Sequence, residues 1–239
     1  MELGRLELKK IKPSVYRTAA AGIFVGLLAL GILFLFIEKL VIWDGGDVGD
    51  LELFASWDGL LALMTALNFC VFSIFSAVMG AKLVIGEYGE KMAVILLGYP
   101  IPRTRILRVK CLLFGGVTVL AAFVENVLVM GLMCGVGYVF EVEPEKFTGR
   151  FFPELLAASF FAGLLACSVG MISVTVGWKK RSPVAAIVCA LLMLCLSANL
   201  VARSYGILLP AMAGLGVFLT AAGLAAYRVL KVDIERLEV

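Results

Sequence analysis

Six long apolar runs, each about the length a helix needs to cross a hydrocarbon layer, leave this chain few ways to fold. A bilayer core of about 30 Å takes roughly 20 apolar residues of helix. Residues 18–37, 59–85, 111–139, 155–176, 184–201 and 207–227 meet that length or come close to it, and Lys82 and Glu125 are the only charged residues inside them. In lipid every backbone N–H and C=O must find its partner within the protein, which an α-helix does locally. The expected fold is therefore an all-α membrane protein of six transmembrane helices. The composition agrees: 62% of the residues are hydrophobic and 16% charged, against about 45–50% and 25% in soluble domains. The second and third runs exceed a perpendicular span and are expected to tilt or to continue past the membrane as helix.

The same composition removes whole classes of chemistry. The chain has no histidine, which excludes Ser-His and Cys-His nucleophile pairs and histidine-based metal sites. All six cysteines, Cys70, Cys111, Cys134, Cys167, Cys189 and Cys195, fall in or at the edge of apolar runs, where they read as small packing residues rather than as disulfide or metal partners. A net charge of +3 is too small to point to nucleic acid. The first apolar run is full length and lacks a small-residue cleavage site, so it reads as an insertion signal rather than a cleaved leader.

Basic residues set the orientation. With the N-terminus inside, every one of the 21 Lys and Arg except Lys39, Lys146, Arg150 and Arg203 lies on the inner side. Both termini are expected to be cytoplasmic. The two longer outer loops, about 38–58 and 140–153, are acidic and too short to fold into a domain. Residues 1–239 read as a single membrane domain with no internal repeat.

One inner stretch stands apart, Gly86 to Lys110, GEYGEKMAVILLGYPIPRTRILRVK. Met92, Ile95 and Leu96 are spaced to share one helix face. Gly98, Pro100 and Pro102 then stop that helix, since proline lacks the backbone donor and restricts the residue before it. Arg103, Arg105, Arg108 and Lys110 lead into the third span. A short helix along the inner face, broken sharply and followed by arginines, suits being pushed by something outside the membrane. The plainer alternative is a positive loop that only fixes topology.

These residues resemble the cytoplasmic loop of ABC-type-2 permeases, the membrane subunits of a class of ATP-driven exporters. Glu87-Tyr88, Leu96-Leu97, Tyr99-Pro100-Ile101, Arg103 and Lys110 match that loop in order and roughly in spacing, and Leu6-Glu7-Leu8-Lys9-Lys10 is similar to the family's basic amphipathic lead-in helix, here over about 1–17. Lys91-Met92 depart from it, where many members carry Gly-Thr. The resemblance implies a permease in a bacterial cytoplasmic membrane that works as a homodimer or heterodimer. It also implies a short cytoplasmic coupling helix between helices 2 and 3, seated on a separate ABC ATPase subunit. Glu87, Tyr88, Glu90, Met92, Ile95, Leu96, Tyr99, Pro100 and Arg103 would make that contact. The sequence has no G-x-x-x-x-G-K-[ST] loop and no soluble stretch long enough for a nucleotide-binding domain. The chain is thus expected to be no enzyme and to bind no cofactor, with ATP and Mg on the partner. Its cargo is unspecified, with amphipathic peptides, lipids or drug-like molecules favoured by the apolar spans. The competing readings are a stand-alone ion- or proton-coupled carrier and a non-transporting immunity or anchor protein.

Several further residues carry expectations. Glu125, beside Asn126, sits mid-span, where an ionisable side chain costs at least ~2.5 kcal/mol to insert. With Asn68 it reads either as a polar point in the translocation path or dimer seam, or as a protonated group satisfied by Asn68 or Asn199. Ser73, Ser76, Asn68 and Asn199 read as interhelical hydrogen-bonders. Gly22-x-x-x-Gly26 and Gly131-x-x-x-Gly135 suggest close helix packing within one subunit rather than a dimer contact. Asp44-Gly45-Gly46-Asp47 reads as a flexible acidic turn. Trp43 and Trp57 read as aromatic-belt residues at the outer interface and Trp178 at the inner one.

Overall fold

In a computed structural model the chain is described over residues 13–43, 56–86, 103–140, 150–202 and 207–235. Six helices account for nearly all of it: α1 (Pro13–Trp43), α2 (Trp57–Gly80), α3 (Arg103–Val139), α4 (Phe151–Lys179), α5 (Pro183–Ala202) and α6 (Leu208–Glu235). No strand occurs among the described residues. All six are long and apolar enough to cross a membrane, so the chain is a multi-pass membrane protein. Of the lead-in stretch expected over about 1–17, residues 1–12 lie outside the described residues and the rest opens α1; the segment over 87–102 lies outside them as well.

Every helix outruns the apolar stretch that predicts it. α1 starts at Pro13, where proline's missing N–H costs nothing in a first turn. Arg103 to Lys110 form the first two turns of α3 rather than a loop leading to it. α2 continues through a π-helical turn, Ala81–Ile85, to Gly86. At its other end Ser56 caps it, its Oγ accepting from the Gly59 N–H at 3.1 Å.

α4 is the hub, packed against α2, α3, α5 and α6, while α1 lies at the edge against α2 and α3. Small residues bring the hub close to its neighbours. Gly163, Gly170 and Gly177 lie seven residues apart on α4, two helical turns each. A Cβ at Gly163 would stand 2.9 Å from the Val119 carbonyl oxygen of α3, and one at Gly170 would collide with Ser76 Oγ of α2. Between lipid-solvated helices there is little hydrophobic drive, so such close backbone approach is a main source of packing energy.

The glycine pairs singled out in the sequence do not play this part. A Cβ added at Gly22, Gly26, Gly131 or Gly135 would meet nothing within 4 Å, so these glycines do not pack within the subunit as expected. The spacing alone does not tell which helix face turns inward.

Two main apolar cores result, with a minor third cluster of Ala81, Ile85 and Ala186 at the π-helical turn. The larger runs from Trp57 and Phe151 at one end through Phe69, Met130, Ala162 and Leu165. The smaller gathers Met79, Leu83, Val84, Leu107, Phe114, Val174, Leu230 and Ile234 at the other. Trp57 is buried and meets Phe151 edge-to-face at 6.0 Å, so it is a core residue and not a belt residue. Trp178 packs half-buried beside the smaller core, and the side chain of Trp43 lies outside the described residues.

Candidate functional site

A polar layer crosses the larger core where α2, α3 and α4 meet. Asn126 Nδ2 donates to Ser159 Oγ of α4 at 2.9 Å and to Thr65 Oγ1 of α2 at 3.3 Å. Ser159 Oγ passes the chain on, donating to the Leu155 carbonyl of its own helix at 2.6 Å. Thr65, Asn126 and Ser159 are all buried. One asparagine thus ties three helices, each interhelical bond contributing about 1 kcal/mol in such surroundings.

One step along α3 and one turn along α2, Glu125 faces Asn68. Asn68 Nδ2 donates to Glu125 Oε2 and also to the Ala122 carbonyl oxygen at 3.2 Å. Glu125 is 7% exposed and Asn68 1%. Glu125 Oε1 and Asn68 Oδ1 have no hydrogen-bond partner among the described residues. Of the two partners expected for Glu125, Asn68 is therefore the one it meets, while Asn199 is exposed on α5. The serines differ from expectation. Ser73 Oγ bonds back to the Phe69 carbonyl of its own helix at 2.7 Å. Ser76 Oγ, seated against Gly170, has no hydrogen-bond partner among the described residues.

The second feature lies at the other end of the bundle. Lys110, in the second turn of α3, is only 1% exposed, and its Nζ donates to the Leu83 carbonyl at 3.0 Å. Leu83 sits in the π-helical turn that ends α2, a kind of irregularity frequent at functional sites. Leu107, Lys110 and Phe114 follow a 3,4 spacing and share one buried face. The bond ties the turn that ends α2 to the first turns of α3. Lys110→Met keeps the stem but removes the donor. It should destabilise the assembled protein by about 1.5–3 kcal/mol, the range for a hydrogen bond to a charged group, read as a lower melting temperature in detergent.

Of the sequence-derived site residues, Asn68, Glu125 and Asn126 are brought together. Glu87, Tyr88, Glu90, Met92, Ile95, Leu96, Tyr99 and Pro100 lie outside the described residues, as does the side chain of Arg103. The acidic turn Asp44 to Asp47 is outside them too. No cluster of metal-ligating side chains occurs among the described residues, and all six cysteines are free thiols. A short turn joins α4 to α5. The Arg181 N–H donates to the Trp178 carbonyl and the Ser182 N–H to that of Gly177, each at 3.0 Å, with Arg181 at φ 48°. That bond pair is the usual glycine-ended helix stop, here with arginine in the glycine position.

No family model matches the chain, and no solved structure does. The chain is 25% identical over 198 residues to the uncharacterized protein YcbO of Bacillus subtilis (strain 168), a likeness covering 82% of each chain. The similarity extends over most of both proteins and brings no activity with it.

Proposed function

We propose that this chain is the membrane subunit of an ATP-driven exporter of the ABC-type-2 kind, a permease of a bacterial cytoplasmic membrane worked by a separate ATPase. The observation that carries the reading is the segment between α2 and α3. It holds Glu87-Tyr88, Leu96-Leu97, Tyr99-Pro100 and Arg103 in the order of the exporters' coupling loop. The buried Lys110–Leu83 bond is in keeping with it, because it ties the end of α2 to the start of α3, so that a push on the segment between them would move the two helices together. Force on such a lever would reach α2 through the π-helical turn and α3 through its first turns. The bundle would then shift between two arrangements by differential binding of the nucleotide states of the partner. A second permease subunit completes the translocation path in this reading, while the Glu125–Asn68–Asn126 layer is buried between helices of one subunit.

Both termini and the 87–102 segment are cytoplasmic in this proposal, on the strength of the basic bias. In a cysteine-free background, an impermeant thiol reagent applied to intact cells should reach a cysteine placed at Gly149 and miss one placed at Lys180. The reverse pattern would sink the orientation. Partnership itself is tested by co-purification of the chain with an ATPase from a neighbouring gene; a stand-alone carrier would bring none.

A further inference from the structure

Glu125 and Asn68 leave two buried atoms open, and both are acceptors: Glu125 Oε1 and Asn68 Oδ1. The amide cannot be turned round to mend this. Its Nδ2 donates to the Ala122 carbonyl, so a flip would press Oδ1 against another oxygen. Both amide hydrogens are already spent, on Ala122 and on Glu125 Oε2. What the pair lacks is therefore one donor.

A metal cation fits poorly, because it wants six or more oxygens for a hard divalent ion and would meet the amide N–H groups here. A cargo headgroup fits poorly as well, since the two side chains are 7% and 1% exposed. A proton needs neither room nor further ligands. Placed on Glu125 Oε1 it makes an O–H that can donate to Asn68 Oδ1, while Nδ2 goes on donating to Oε2. The result is a carboxylic acid and a carboxamide joined by two hydrogen bonds in a ring, with no acceptor left over.

We infer that the Glu125–Asn68 pair is a proton-binding site at the α2–α3 seam, filled when the seam is packed and emptied when it opens. The proton comes from water, adding to the carboxylate oxygen, and returns to water when Glu125 is exposed. One proton bound by the packed form alone favours that form by up to tenfold for each pH unit of acidification. Competing groups are distant or uncharged. α1 has no titratable side chain between Thr18 and Ile37. On α2, Cys70 is the nearest and Asp58 lies about 15 Å along the helix from Asn68, and on α5, which packs on α2, the only titratable side chains are the free thiols of Cys189 and Cys195. On α3 itself Cys134 is about 13 Å away and Lys110 about 22 Å. On α4, Glu154 stands about 7 Å along the axis from Ser159 and Cys167 about 12 Å. Tyr227 and the charges after it on α6, with Lys82 in the π-helical turn, belong to the opposite end. This inference holds whether or not an ATPase drives the protein.

Infrared spectroscopy of the full-length protein at neutral pH, in a detergent without ester groups, tests it. Wild type should show the carbonyl stretch of one neutral carboxyl per chain, because surface carboxylates are ionised there. Glu125→Gln should lose that band entirely yet assemble normally, since its amide can donate to Asn68 Oδ1 in place of the acid. Asn68→Leu should shift the band by removing its hydrogen-bond partner, and Asn68→Ala serves if the leucine variant does not assemble. A wild-type spectrum without the band, or a band unmoved by both Asn68 variants, would overturn the inference.

Discussion

Under the proposed coupling, truncating Ile95 or Leu96 to alanine is expected to cut association with the ATPase partner about thirtyfold, while truncating Glu87 weakens it less and in a salt-dependent way. With Met92 these residues have the spacing of one helix face, and under the proposed coupling they would form an apolar knob for a partner's groove. Losing a buried anchor of that kind costs about 2 kcal/mol or more, which is the thirtyfold figure. Glu87 would stand at the rim, where solvent and salt screen a charge and its removal acts mainly on encounter. Binding of the proposed ATPase partner to the detergent-solubilised protein, measured at two salt concentrations, separates the two cases. Equal, salt-insensitive losses for all three variants would argue against a knob seated in a groove.

Gly170→Ala is expected to be the most damaging small change in the bundle. Its Cβ would overlap Ser76 Oγ and stand 2.7 Å from Ser76 Cβ and 3.3 Å from the Ser76 backbone carbon. Rotating the hydroxyl away relieves the first contact but not the second, so α2 must back off from α4. Overpacking of this kind costs about 1–3 kcal/mol, and here it falls on the helix pair that holds the core together. The same change at Gly135, where nothing lies within 4 Å, should be close to silent. Adding Ser76→Gly to Gly170→Ala removes both short contacts and should restore much of the loss, a coupling that a double-mutant cycle of melting temperatures reads directly. Additive losses would mean that the α2–α4 contact is not as close as described.

Which parts of this arrangement are readable in advance follows from what each depends on. The six spans are legible because charge is so expensive in lipid that its absence over about 20 residues is a strong signal. Their ends are not, because a helix leaving the membrane keeps its hydrogen bonds in water, so Arg103 to Lys110 continue α3 without any apolar pattern to announce it. Trp57 illustrates a second limit: a tryptophan at the end of a span packs either on lipid headgroups or on a neighbouring ring, and Phe151 decides the matter from almost a hundred residues away.

The glycines show the same dependence on facing. Gly163, Gly170 and Gly177 repeat at seven residues, a spacing that keeps one face, whereas the four-residue pairs at Gly22 and Gly131 look more suggestive and touch nothing. Within the candidate site, Glu125 stands out as the lone carboxyl inside the spans, and its neighbour Asn68 is among its foreseeable partners. Lys110 is readable as a basic residue at the head of a helix. Its burial is also encoded, in the run Leu107, Lys110, Phe114, but a lysine on an apolar face is easily taken for one that reaches back to water.

The central claim, that an outside ATPase works this chain through the segment between α2 and α3, is tested most directly by cross-linking. Single cysteines at Glu90 and Met92, in a cysteine-free version of the chain co-expressed with the proposed ATPase partner, should form cross-links to it, with yields that change between nucleotide-free and ATP-bound states. No cross-link from either position in any nucleotide state, together with normal coupled transport by the Ile95→Ala and Leu96→Ala variants, would contradict the claim and leave the segment as a signal for topology.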